Sequence, residues 1–241
     1  MASLLEQYGI KEVADVTIYD LETGVPVLFL DTLKVSTIEQ TAEQTEARGG
    51  KGNPPLIIWD YGKEITVTLE DALFSPASMA IMFGDGDKDG AGAVSSVTRM
   101  KKVALTATIT SIPSGKKYYK GAASGIGMAT ATTGDLTTGA IVYEEQTIST
   151  GVTGTKIEIT AENFPGTYKL VGETFARNKK TGKDEYFQFI IPQAKMGSEN
   201  TITLEAEGDP SVFNMTMRVL RPESGAMMEL IQYKVNKSGL S

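Results

Sequence analysis

The chain has 241 residues, 41% hydrophobic and 22% charged, enough for one large β domain or two small domains with a real core. It contains no histidine and no cysteine, which excludes disulfides, thiolate zinc sites, imidazole bases and Ser-His-Asp or Cys-His machinery. Net charge is −7, and residues 1–84 hold 13 acidic against 5 basic side chains, leaving 17 against 18 in the rest; a protein that grips phosphates shows the reverse bias.

Ser3-Leu-Leu-Glu6 fits a capping box, with Gly9 ending a helix of one or two turns. The first nine residues have no basic residue and no apolar core, so no signal peptide is expected. No later run approaches the roughly 20 apolar residues of a membrane span. Val16 and Ile18 alternate with Thr17 and Tyr19, and strands are also expected over residues 25–30 and 33–40. Residues 41–46 are polar on both faces, and 47–55 read as loop. Residues 40–55 are therefore expected to leave the compact body as a long polar excursion, which in a small domain usually has a function.

Two strands follow, 56–59 and 65–69, joined around Tyr61 and Gly62, with Trp59 placed in the core by its apolar neighbours. In the second, Ile65, Val67 and Leu69 take one face, and Glu64, Thr66, Thr68 and Glu70 the other. Thr68 with Asp71 suggests a first helical cap. Ser75 and Pro76 then supply N-cap and N1 for the main helix, which Gly84 stops.

From Lys101 the strand pattern returns, with Val103, Leu105, Ala107 and Ile109 alternating with Thr106, Thr108 and Thr110. Lys116 opens a hairpin or edge. Residues 121–140, rich in Gly, Ala and Thr, suggest an exposed excursion. Strands are expected at 140–144, 155–160, 167–177, 185–192, 201–207, 212–220 and 227–233, with 178–183 as a hairpin turn. The pattern is mainly β, read as one domain over 1–241 with the excursion at about 40–55 and the Gly/Thr-rich insertion at about 121–140.

Asp85-Gly-Asp-Lys-Asp-Gly90 matches the first half of a calcium loop, with Asp85, Asp87 and Asp89 at positions 1, 3 and 5. Ser96 stands where the bidentate Glu belongs, so a solvated turn is the better reading and no calcium requirement is expected. Gly121 to Gly127 lacks the GK[ST] ending of a phosphate loop. Glu144 with Glu145, and Asp184 with Glu185, point to opposite strand faces and suit no paired acid–base work. No catalytic constellation, metal or cofactor site emerges, and the chain is not expected to be an enzyme.

The order of segments resembles bacteriophage tail tube (major tail) proteins. The resemblance rests on Val13-Ala-Asp-Val-Thr-Ile-Tyr-Asp, on the stretch from Glu39 to Gly52, and on Glu64-Ile-Thr-Val-Thr-Leu-Glu-Asp-Ala-Leu. It extends to Thr201-Ile-Thr-Leu-Glu-Ala-Glu-Gly-Asp-Pro with Phe213-Asn-Met-Thr. It implies a β-sandwich or split barrel with one flanking α-helix and long inter-subunit loops. Six copies would form a ring, rings would stack, and inner sheets would join into one barrel around a channel.

The resemblance also implies a virion protein made in the host cytoplasm, with no membrane insertion. Its partners would be other copies and other tail proteins: tape measure, terminator, baseplate, and a sheath if the tail contracts. Genome DNA would pass without specific binding.

On this reading Glu39, Glu43, Glu64, Thr66, Thr68, Glu70 and Glu205 line the lumen. Gln44, Glu46, Arg48, Lys51 and Asn53 lie in an inter-subunit loop. An anionic, hydroxyl-rich wall repels phosphates and lets DNA slide. The competing reading is a β-sandwich carbohydrate- or receptor-binding module, which would expose an aromatic platform or an ordered metal site.

Overall fold

A computed structural model describes residues 6–84, 94–121, 127–200, 202 and 212–235. The Asp85–Gly90 turn, Ser3, and the Thr201–Glu207 strand with Glu205, apart from Ile202, lie outside the described residues. So do residues 122–126 of the glycine-rich loop. The chain divides into two compact units, residues 92–156 and the remainder. The described residues are mainly β, in two antiparallel sheets with one α-helix and no closed barrel.

The larger unit is built on the hairpin of β10 (Thr167–Asn178) and β11 (Asp184–Met196). Its turn is the expected one. Asn178 is fully buried there, and its side-chain oxygen accepts from the backbone N–H of Lys180 and Thr181 at 2.9 and 3.1 Å. At one end of this hairpin, β2 (Asp15–Asp20) pairs with β10, and β3 (Pro26–Leu30) pairs with β2. On the other side β12 (Phe213–Val219) pairs with β11, followed by β5 (Pro55–Asp71) and β4 (Leu33–Arg48). At the turn end, β1 (Tyr8–Ile10) lies against β10 and β13 (Glu229–Tyr233) against β11. Tyr8 and Gly9 are thus in a strand, where the opening capping box suggested helix.

Period-two patterning sets the core. Val16, Ile18, Val67, Leu69, Leu170, Ile191, Met215 and Met217 are all fully buried on one face of the sheet. Ile81 and Met82 join that cluster from α1 (Pro76–Phe83). The helix begins and ends where the sequence places it. Ser75 and Ser78 form a capping box, Pro76 occupies the first turn, and Gly84 takes a left-handed φ of 75°. The earlier cap at Thr68 does not form, because β5 runs on to Asp71. The Asp71 carboxylate accepts from Thr32 Oγ1 at 2.5 Å and from the Leu73 N–H at 3.2 Å, and shapes the exit turn.

The smaller unit has its own sheet, ordered β6 (Val97–Ala104), β9 (Ile141–Ile148), β7 (Lys116–Gly121), β8 (Met128–Thr130). Its core is Leu105, Tyr118, Ala131, Leu136 and Val142. Two expectations change here. The first strand ends at Ala104 rather than continuing to Thr110, because the Leu105 N–H and C=O bond Ala140 and Gly139 and the Ile109 N–H bonds Leu136. The Gly/Thr-rich stretch is not wholly an exposed excursion, since Leu136, after the 3₁₀ turn Thr133–Asp135, is 0% exposed. Residues 156–160, in the larger unit save for Lys156, form no strand.

Candidate assembly surfaces

The first surface is the polar face of the large sheet. Glu64, Thr66, Thr68 and Glu70 do face away from the buried Ile65, Val67 and Leu69; Glu64 is exposed and the other three half-buried. Register sets Glu39 opposite Thr66 on β4, with Arg218 opposite Thr66 on β12. Arg218 in turn lies opposite Lys195 on β11. Arg218 pairs with Glu64, both side chains about half exposed, and Lys195 bonds the Pro165 carbonyl. This face is therefore mixed in charge rather than purely anionic. Sequence reading missed Arg218, although Asn214, Thr216 and Arg218 alternate with buried Phe213, Met215 and Met217.

The second surface is the expected excursion, which is a β-hairpin arm. β12 pairs with β5 only over Thr66–Asp71, so beyond Ile65 β4 is the strand's one neighbour among the described residues. The two strands stay paired out to Arg48 and Pro55. Between Thr41↔Glu64 and Glu43↔Tyr61, β5 carries one extra residue, a bulge at Gly62 and Lys63 with Gly62 at φ 62°. What sequence reading took for a joint between two strands is this bulge in one strand. Glu43 thus sits on the arm, outward of Glu64 and Glu39.

Register beyond the bulge puts Ile57, Trp59 and Tyr61 on one face with Ala47, Thr45 and Glu43. Trp59 is 50% exposed and Leu56 64%, so Trp59 is not in the core. On the other face Gln44 donates to Asp60 at 2.8 Å, and Arg48 pairs with Glu46 at 2.5 Å. Gly50, Gly52 and Asn53 make the tip with positive φ, and Lys51 lies exposed between them.

The third surface is an open groove of about 400 Å³ at the root of the same hairpin. Ile10 and Val13 line one side, Val35 and Ile38 the other, with Phe187 and Phe189 between. Lys11, Glu12 and Lys34 stand at its rim.

Beside the turn end of the β10–β11 hairpin, polar contacts hold both ends of the described chain. Glu6 accepts from Tyr8 Oη at 2.6 Å and from Asn178 Nδ2 at 3.1 Å, and the buried Glu185 pairs with Lys234 at 2.7 Å. The Glu6 carboxylate pushes the Tyr8 phenol up to about 12. Tyr233 stacks on Tyr186, and its bond to Glu173 pushes its phenol likewise to about 12.

The smaller unit contrasts in charge. Residues 92–156 hold 7 basic and 3 acidic side chains, net +4, so the remainder of the chain is −11. Each carboxylate there is paired with a lysine of β7: Glu144 with Lys116, Glu145 with Lys117, Asp135 with Lys120. Three of the other four cations, exposed Arg99, Lys101 and Lys102, lie on β6, an edge strand of the described sheet. Cations on an edge strand oppose edge-to-edge pairing.

Residues 8–232 match the YomU/Tube protein family. The chain belongs to this family. The name is that of a phage tube protein, a structural component of the virion, and the role it implies is structural rather than catalytic. A search of curated proteins finds no match.

Proposed function

We propose that this chain is the subunit of a phage tail tube, stacking as rings of six around a channel through which genome DNA is delivered into the host. The observation that carries the reading is the arm. A two-stranded ribbon is marginal alone in water, and this one extends roughly 30 Å at about 3.4 Å per residue. Its Leu56, Ile57, Ile58, Trp59 and Tyr61 are all at least half exposed, and among the described residues no other strand pairs with it. A surface of that kind marks a protein contact.

The free edges β3 and β4 fit ring closure, because pairing them between neighbours removes edges that would otherwise aggregate. β3 offers 5 residues and β4 16, so closure covers the root of β4 and leaves the arm for another contact. In the ring the two units act together as one tube subunit. The polar face with Glu39, Glu64, Thr66, Thr68 and Glu70 turns to the channel, and Gln44, Glu46, Arg48, Lys51 and Asn53 meet a neighbour. The tube joins the other tail proteins at its ends, and DNA slides past the wall without specific contacts.

Electron microscopy of the purified chain should show hollow tubes or rings. Removing the arm symmetrically, residues 43–61 replaced by a short glycine turn, should leave a folded monomer without tubes. Intact protein that forms neither tubes nor rings refutes the reading; tubes from the deleted protein refute the part given to the arm.

A second reading, glycan or receptor binding, draws support from Trp59 and Tyr61, which stand exposed on one face. Monodisperse monomers that bind glycans through this pair would favour it.

A further inference from the structure

We propose that the groove at the root of the hairpin is the seat for the arm of a second copy. This rests on the tube reading only in requiring that copies assemble. Groove and arm are complementary in three respects. The groove is walled by Ile10, Val13, Val35, Ile38, Phe187 and Phe189, of which Ile10 is 54% exposed and Val35 41%. The arm presents Ile57, Trp59 and Tyr61 in a row on one face, with nothing in the larger sheet covering them. Each surface therefore leaves apolar area in water that the other would remove.

Charge is complementary too. Lys11 and Lys34 stand at the groove rim with no ion-pair partner among the described residues, and Glu12 is the one acidic residue beside them. On the arm, Glu43 lies on the same face as the apolar row, while Glu46 on the opposite face is paired with Arg48. Docking brings the Glu43 carboxylate toward the lysines at the rim, where such a pair sets orientation and approach.

Geometry makes the occupant a different copy. Val35 lines the groove, and Thr45, ten positions along the same strand, is the register partner of Trp59. A paired strand holds those points roughly 30 Å apart. The arm cannot fold back onto its own root while the ladder is intact. Arm-into-groove joins two different patches of one protein. A contact of that type is head-to-tail, and repeated it yields rings or open filaments rather than closed dimers.

The absence of cysteine makes the test clean. Ser36→Cys in the groove and Ala47→Cys on the apolar arm face are prepared as separate proteins, mixed in equal amounts, and treated with a short bismaleimide under assembly conditions. A cross-linked dimer is expected in the mixture and not in either protein alone. Val35→Asp, at an exposed position, should keep its melting temperature and raise the concentration needed for assembly at least about tenfold, equivalent to 1.4 kcal/mol. Tubes without the mixed cross-link, or normal assembly of Val35→Asp, overturn the groove as the seat and leave the tube reading standing. The mixed cross-link in an assembly that is not a tube keeps the groove and overturns the tube. Neither tubes nor cross-link overturns both.

Discussion

Gly172 lies at the centre of β10, opposite Phe189 on β11 and Val16 on β2. Its φ is not positive, so space rather than torsion explains the glycine. A Cβ at this position would lie 2.1 Å from Phe189 Cζ and 2.2 Å from Cε1. The ring occupies the volume that any other residue's side chain would need. Phe189 is 4% exposed and belongs to the main core, so it has little room to retreat. Overpacking of this kind costs about 1–3 kcal/mol, and the strand gains back about 0.5–1 from losing a glycine. Gly172→Ala should therefore destabilise the larger unit by about 1–2 kcal/mol. Phe189→Leu removes the obstruction, so the two substitutions should be less than additive when combined.

Amide hydrogen exchange is the suitable assay, because each unit has its own core. Protection should fall at Leu170 and Ile191 and stay unchanged at Leu136. Phe189 also lines the groove, so assembly should weaken alongside. Unchanged protection at Leu170 refutes the packing argument. An equal loss at Leu136 would show that the two cores do not open independently.

Leu136→Ala should cost the smaller unit about 2–5 kcal/mol, as a fully buried leucine does, while protection in the larger unit holds. Asp135 is held down to about 2 by Lys120 first and then by the Thr132 N–H and hydroxyl. Its folded value lies below the ordinary 3.8, so its contribution is complete above about pH 4 and is lost as pH falls through 2. Acid melts followed at Tyr118 should show that loss, and Asp135→Asn should abolish it. Tyr8 and Tyr233 have the opposite sign. Their phenols titrate at about 12 instead of 10, so their bonds hold below pH 10 and fail between 10 and 12. Tyr8→Phe should remove its share of that alkaline transition in a fluorescence or absorbance titration. Glu64→Lys breaks an exposed pair with Arg218 and should barely change stability, but it sets two cations side by side on the polar face. Phage with such tubes should form tails of normal length and eject DNA poorly, in a salt-dependent way. Normal ejection would remove Glu64 from the channel, and failed assembly would place it between subunits.

What was legible in the sequence was what local periodicity and capping decide. Val16 and Ile18, Val67 and Leu69, and the Ser75–Pro76 start of the helix each follow from local periodicity or capping, and each is where those rules put it. Leu136 was not legible, because a single leucine among Thr and Gly has no period. It follows the turn Thr133–Asp135 and is buried in a cluster with Leu105 and Tyr118, which lie well apart from it in sequence. The Glu64–Arg218 contact was hidden for a similar reason, since 154 residues separate the partners and only strand register joins them.

Trp59 is the more instructive miss. Residues 57, 59 and 61 are in phase with 65, 67 and 69, so parity alone assigns all six to the core side of one strand. The extra residue at Gly62 and Lys63 breaks the phase. It rotates Ile57, Trp59 and Tyr61 onto the face that carries Glu64 and Thr66 nearer the root. On the root side of the bulge β12 supports β5, and beyond it β4 is its one partner among the described residues. One glycine thus separates a strand that completes its own core from a strand whose apolar side chains have no use for this copy. In the proposed tube this arrangement lets the core fold each subunit first and leaves the arm's apolar face for a neighbour to bury. Gly62 has a left-handed φ of 62°, and a Cβ there would meet Glu43 at an ordinary 3.7 Å, so torsion rather than crowding fixes the residue. Any change that restored parity across this point, such as deleting Lys63, would turn the apolar row to the opposite face and remove it from whatever it docks upon.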